Sequence, residues 1–125
     1  MLKDHDSHAI VAVRDLERAR AFYSEILELE LDREGSEEGV LLYRTGTTRL
    51  GVYQSAFAGT NRANAVVWGV GEALDGIVAR LEAKGADFEH YYDIGRLDGN
   101  VHRIGDAKLV WLKDPDGNIL HLNNL

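Results

Sequence analysis

The stretch His8-Ala-Ile-Val-Ala-Val13, followed by Arg14-Asp15-Leu-Glu-Arg-Ala-Arg-Ala-Phe22-Tyr23, decides how this chain is read. Its first six residues are a short β-branched and alanine run, the pattern of a buried strand. Asp15 then predicts a helix start, because its carboxylate can accept the free amides of the first turn. Beyond it Leu16, Ala19, Phe22, Tyr23, Ile26 and Leu27 recur at helical spacing, with Glu17, Arg18, Arg20 and Glu25 between them. That pattern predicts an amphipathic helix of about three turns. Three strands are expected next, Leu29–Arg33, Val40–Thr45 and Thr48–Gln54, separated by turns at Gly35 with Gly39 and at Gly46.

The same order then recurs. Ala65-Val-Val-Trp-Gly-Val70 is a second β-rich run, and a helix follows with Leu74, Ile77, Val78 and Leu81 on one face, closed by Lys84-Gly85. Phe88–Asp93, Ala107–Lys113 and Ile119–Asn123 read as strands. Between the last two, Asp114-Pro-Asp-Gly-Asn118 is a tight turn, with proline preset for its early position and glycine tolerant of positive φ. The chain thus reads as a single domain, 1–125, written twice as βαβββ: module one about 7–54, a link 55–64, and module two about 65–123. The first strands are offset by 57 residues (8 to 65) and the last by 70 (51 to 121). Most of the extra length falls in Ile94–Asp106, a glycine- and charge-rich segment expected to be a loop over a site.

With 125 residues, nearly half of them apolar, the chain can bury a core without staples. It has no cysteine, which excludes disulfide frameworks, thiolate metal sites and cysteine nucleophiles and fits a reducing cytoplasm. The charges in Met1–Asp6, where a signal peptide would carry an apolar run, lead us to expect none, and no run approaches the ~20 apolar residues of a membrane span. Twenty-one acidic residues against 14 basic ones give a formal charge of −7, which disfavours nucleic acid as a partner and mildly favours a neutral or cationic one. No glycine-rich phosphate loop and no serine nucleophile elbow is present.

The opening stretch resembles the start of the vicinal oxygen chelate superfamily, which includes glyoxalase I, extradiol dioxygenases and bleomycin-resistance proteins. Lys113-Asp-Pro-Asp-Gly-Asn118-Ile-Leu120 resembles the closing hallmark of that superfamily. Val78-Ala-Arg-Leu81-Glu-Ala-Lys84-Gly85-Ala-Asp-Phe88 resembles its second helix and the strand after it. Together these stretches span nearly the whole chain in the right order. The resemblance implies an α+β fold in which two βαβββ modules form a mixed-sheet, open barrel-like cleft with helices outside, commonly as a homodimer. It also implies four metal-ligand positions, one at the first and one at the last strand of each module. In this chain they hold His8, Gly51, Ala65 and His121, so two of the four offer no side-chain donor.

Strand alternation extends the reading to whole faces. With His8 and Gly51 go Ile10, Ala12, Arg49 and Tyr53; with Ala65 and His121 go Val67, Gly69, Ile119 and Asn123. The opposite parity, Val11, Val13, Leu50, Val52, Trp68, Val70, Leu120 and Leu122, is apolar and is expected under the helices. Small residues on the first face either leave room for an organic ligand or let strands pack closely. The candidate ligand-binding residues are His8, Tyr53, Gln54, Asn61, Val67, His90, Trp111, His121 and Asn123. Gln54 and Asn61 have turn chemistry as their alternative role, and the Phe88–Asp93 run has a plain aromatic strand face.

Two functions compete. One is a metal-free small-molecule-binding protein of the bleomycin-resistance type, taking an aromatic or natural-product ligand. The other is a glyoxalase-like or dioxygenase-like enzyme (isomerase, lyase or oxygenase) using His8 and His121, with or without a divalent ion such as zinc, nickel, manganese or iron. Two histidines fall short of the three protein ligands usual at a catalytic zinc.

Overall fold

The computed structural model describes residues 1–33, 36 and 38–125, so the turn expected at Gly35 lies outside the described residues. The chain divides into two units, Met1–Thr60 and Asn61–Leu125. Among the described residues each contains one α-helix and one mixed sheet, and neither sheet closes into a barrel, in keeping with the α+β expectation.

In the first unit, β1 (Ala9–Val13) leads to α1 (Leu16–Ala21), then β2 (Glu30–Leu31), β3 (Val40–Thr45) and β4 (Thr48–Gln54). The sheet order is β1-β4-β3-β2, with β1 parallel to β4 and the other pairs antiparallel. Asp15 caps α1 as the sequence predicts, its Oδ1 accepting the amides of Glu17 at 2.9 Å and Arg18 at 3.2 Å. Val11, Val13, Leu50 and Val52 are buried.

Three expectations need correction here. The helix is α-helical only to Ala21; Phe22–Ile26 form a π turn, in which the Leu27 amide reaches back to the Phe22 carbonyl at 3.0 Å. Both Phe22 and Tyr23 are buried there, edge-on to each other with centroids 5.0 Å apart, and Tyr23 meets Tyr43 of β3 at 6.0 Å. The strand expected over Leu29–Arg33 shrinks to two residues. At one end the Leu29 amide is committed to the Tyr23 carbonyl at 3.0 Å. At the other the Ser36 hydroxyl enters the ladder, donating to the Asp32 carbonyl at 2.7 Å and accepting the Leu42 amide at 3.0 Å. His8 precedes β1 rather than opening it.

In the second unit, β5 (Asn64–Gly69) is followed by α2 (Leu74–Ala83), β6 (Asp87–Glu89), β7 (Arg96–Asp98), β8 (Val101–Ile104), β9 (Ala107–Lys113) and β10 (Ile119–Asn123). The sheet order is β5-β10-β9-β8-β7, with β5 parallel to β10, and β6 pairs with the last residues of β9. Leu74, Val78 and Leu81 of α2 are buried, as are Leu112, Leu120 and Leu122 of the sheet. Lys84-Gly85 ends α2 as expected: Gly85 takes φ +73° and the Ala86 amide returns to the Leu81 carbonyl at 3.0 Å. Asp114 is buried and holds the closing turn, its Oδ1 accepting the Asp116 and Asn118 amides, both at 2.9 Å. Its Oδ2 accepts the Asn118 side-chain amide at 2.8 Å.

Two further expectations fail in this unit. The segment Ile94–Asp106 is not a loop but holds an antiparallel hairpin, β7–β8, which widens the sheet. Its two-residue turn, Gly99-Asn100, and the next one, Gly105-Asp106, both place glycine at positive φ in the first central position. That geometry matches the strand twist. The strand expected over Phe88–Asp93 stops at Glu89, because beyond it the Tyr91 amide bonds the His102 side chain instead of the ladder.

Candidate functional site

Residues directly opposite one another across a sheet share a face. In the second unit the register aligns Val67, His121, Trp111 and Glu89 in one row and Gly69, Asn123, Leu109, His102 and Leu97 in the next. The alternate rows, with Leu120 and Leu112, carry the buried leucines. One face of this sheet is therefore apolar, with Trp68 and Phe88 among its leucines, and the other mixes aromatic and polar side chains.

On the polar face Trp111 lies flat against His121, centroids 4.6 Å apart and planes inclined by 21°. The indole N–H donates to Asn64 Oδ1 at 3.1 Å. His121 Nδ1 faces the Val110 carbonyl at 3.0 Å; a carbonyl only accepts, so Nδ1 carries the proton. Nε2 is left as an acceptor, with the Asn123 side-chain amide 3.3 Å away. His121 is 8% exposed and Trp111 7%, whereas Val67 at the sheet's edge is 57% exposed. Burial pushes the His121 pKa below the usual imidazole value, outweighing the opposing influence of the Val110 carbonyl. The ring is neutral at neutral pH.

His102, which sequence reasoning missed, and Tyr91, from the aromatic run Phe88–Asp93, complete this cluster. His102 stands edge-on to Trp111 at 5.0 Å, and Tyr91 does the same at 5.1 Å. His102 is wholly buried, and its Nε2 accepts the Tyr91 amide at 2.9 Å. Burial also pushes its pKa below the usual imidazole value. The two Gly-X dipeptides, Gly99-Asn100 and Gly105-Asp106, are the signal that would have placed His102 on a strand between turns.

Of the residues picked out from sequence, Val67, Trp111, His121 and Asn123 come together on this face. His90 joins at its rim, its Nε2 2.7 Å from Asn100 Oδ1 and its ring 6.3 Å from that of His102. His8, Tyr53 and Gln54 belong to the first unit, and Asn61 opens the second. Gln54 donates its side-chain amide to the distant Arg14 carbonyl at 3.1 Å, tying the end of β4 to the end of β1, and Asn61 Oδ1 accepts the Ala63 amide at 3.0 Å in a local turn. Tyr53 sits half-buried on β4 beside Ala12 and Val40 of the first sheet. His8 is exposed.

The donor set does not fit a catalytic metal. In the first unit His8 is the one imidazole among its two implied ligand positions, and a Cβ on Gly51 would already press on Ile10 Cγ1 at 3.3 Å. In the second unit His121 stands alone, and Ala65 falls at the register shift where β5 bulges against β10. Among the described residues no three His, Asp or Glu side chains gather as a metal-binding group, and no helix is long and apolar enough to cross a membrane.

Comparison with solved structures places this architecture among known folds. A glyoxalase/bleomycin resistance protein/dioxygenase from Alicyclobacillus acidocaldarius superposes with a TM-score of 0.74 at 17% identity, over 96% of this chain and 90% of that one. The fosfomycin resistance protein FosX from Mesorhizobium loti matches with a TM-score of 0.70 at 15% identity, over 98% and 92% of the two chains. FosX from Listeria monocytogenes, solved in complex with Mn(II) and sulfate ion, gives 0.69 at 18% identity over 94% and 87%. Identities this low establish the fold and no activity. A search of curated proteins found no match. The family model for the glyoxalase/bleomycin resistance protein/dioxygenase superfamily aligns with residues 7–122, and the chain belongs to that superfamily.

Proposed function

We propose that this chain is a small-molecule-binding protein of the bleomycin-resistance type. It holds an aromatic or natural-product ligand against the polar face of the second unit, without a catalytic metal, and works as a cytoplasmic homodimer with neither nucleic acid nor membrane as partner. The observation that carries this reading is the Trp111–His121 stack, a flat aromatic surface whose imidazole presents a fixed acceptor, reached along a row that opens at Val67. A planar ligand gains stacking there and one oriented hydrogen bond from His121 Nε2 or the Asn123 amide. The absence of side-chain donors at Gly51 and Ala65 supports the metal-free form of the reading.

Tryptophan-fluorescence titration with planar antibiotics, bleomycin among them, and aromatic metabolites tests it. Saturable quenching is expected, at least tenfold weaker in Trp111→Ala, with the ligand recovered chemically unchanged. Silence across the panel would sink the reading, as would conversion of the ligand.

One observation favours a second reading. The proton on Nδ1 and the lone pair on Nε2 make His121 a competent general base near neutral pH. An isomerase, lyase or oxygenase built on His121 and His8 would show turnover that vanishes in His121→Ala and His8→Ala; fosfomycin with and without manganese is the first substrate to try, given the FosX neighbours.

A further inference from the structure

Between β6 and β7 the chain crosses as a short strap, 90–95, tied down at several points. The Tyr91 amide donates to His102 Nε2 at 2.9 Å, and the Tyr91 ring stands edge-on to Trp111 at 5.1 Å. His90 Nε2 and Asn100 Oδ1 are 2.7 Å apart. At the far end Gly95 lies so close to β8 that a Cβ there would collide with the Arg103 carbonyl. Tyr92, at the strap's crest, is exposed.

The Tyr91–His102 bond has a fixed polarity. A backbone amide only donates, so Nε2 must keep its lone pair and His102 must be neutral, with its proton on Nδ1. Nδ1 is buried without a hydrogen bond of good geometry, so a charge on this ring gains little beyond the weak pull of the Leu109 backbone. A second proton on Nε2 would set N–H against N–H inside a dry cluster. From this geometry we infer that His102 is an acid-sensitive latch: neutral, it pins the strap over the Trp111–His121 face, and protonated, it releases it.

The groups around His102 support that direction. On the strap, His90 opposes a second positive charge. On β9, Trp111 is neutral, and the Leu109 backbone is the one influence favouring protonation, weaker than burial. The nearby formal charges are already paired: Lys113 with Glu89 at 2.7 Å, Arg103 with Asp98 at 2.8 Å, and Lys108 with Asp75 at 2.8 Å. The folded-state pKa is therefore depressed below the unfolded one. The closed strap keeps its full stability above the ordinary imidazole pKa of about 6.5 and loses it as pH falls through the lowered value.

The inference rests on the proposed ligand face only for its consequence, access to Trp111, so it is tested without any ligand. On full-length ¹⁵N-labelled protein, NMR between pH 8 and pH 5 reads the His102 ring nitrogens and the exchange protection of the Tyr91 amide. The expected result is an Nδ1–H tautomer at pH 8. Tyr91 protection should fall about tenfold or more as His102 protonates, while the β9 and β10 amides stay protected. An Nε2–H tautomer, unchanged Tyr91 protection through the titration, or loss of β9 and β10 protection at the same pH would each overturn it. His102→Gln, which keeps an acceptor but does not titrate, should hold the strap at every pH. Persistent pH dependence of Tyr91 in that variant would also overturn the latch, and if the variant does not fold, the wild-type titration decides.

Discussion

Each unit opens strand, helix, strand, but the two bury their largest rings on different faces of the sheet. In the first, Phe22, Tyr23 and Tyr43 fill the core between helix and sheet. In the second, the leucine face carries only the half-buried rings of Trp68 and Phe88, whereas Trp111 is buried with Tyr91 and two histidines on the other face. An aromatic core uses ring area for stability, whereas rings paired with imidazoles bring polar atoms that a purely structural layer would not need. The difference marks the second unit as the one with chemistry to spare.

The sharpest way to break that comparison is to truncate one ring on each side. Tyr23→Ala removes a fully buried core ring and should cost about 4 kcal/mol in denaturant unfolding. Trp111→Ala should cost less, about 3 kcal/mol, because the imidazoles and Asn64 it leaves behind can take up water. A larger loss for Trp111 than for Tyr23 would show that the polar face is core after all. Next in size, Asp114→Ala strips the acceptor from two backbone amides and a side-chain amide at once and should cost about 2 kcal/mol. If the comparison holds, hydrogen exchange should then speed up in the second unit and stay unchanged in the first. The smallest effect belongs to Ser24→Ala, which removes the 2.9 Å bond to the Tyr43 hydroxyl. About 1 kcal/mol is expected, read as a small drop in Tm. Burial already pushes the Tyr43 hydroxyl's pKa up, and losing Ser24 should push it further, since that bond now lowers it.

Much of the fold was legible because it rests on local chemistry. Asp15 capping a helix, glycine after Lys84 ending one, and Asp114 organising its turn are each decided within a few residues. The core parity was legible for Val11, Val13, Leu50, Val52, Leu120 and Leu122, which are buried, while Trp68 and Val70, expected with them, are only half-buried. What escaped depends on tertiary partners. Phe22 and Tyr23 have helical spacing in sequence; their π turn accompanies packing against Tyr43. Glu89 ends its strand because of His102, which lies well along the chain. Charges in Arg96–Asp98 hid a strand whose two-residue turn was in plain view. At the candidate site, strand alternation placed His121 and Trp111 on one face, whereas the Gln54 bond to Arg14 depends on a strand pairing that spacing does not reveal.

The parallel pairing of the first and last strands in each unit has a consequence for how the chain is made. Ile10 lies beside Gly51, and Val67 beside His121. A growing polypeptide forms the β3–β4 and β8–β9 hairpins early, but β1 waits for β4 and β5 waits for β10 across most of a unit. Such distant pairings are slow to close. During that wait β1 and β5 are unpaired strands bearing Ile10 and Val67, still 59% and 57% exposed in the finished protein. These two strands are where a nascent chain of this sequence is most open to aggregation, and where a chaperone has the most to cover.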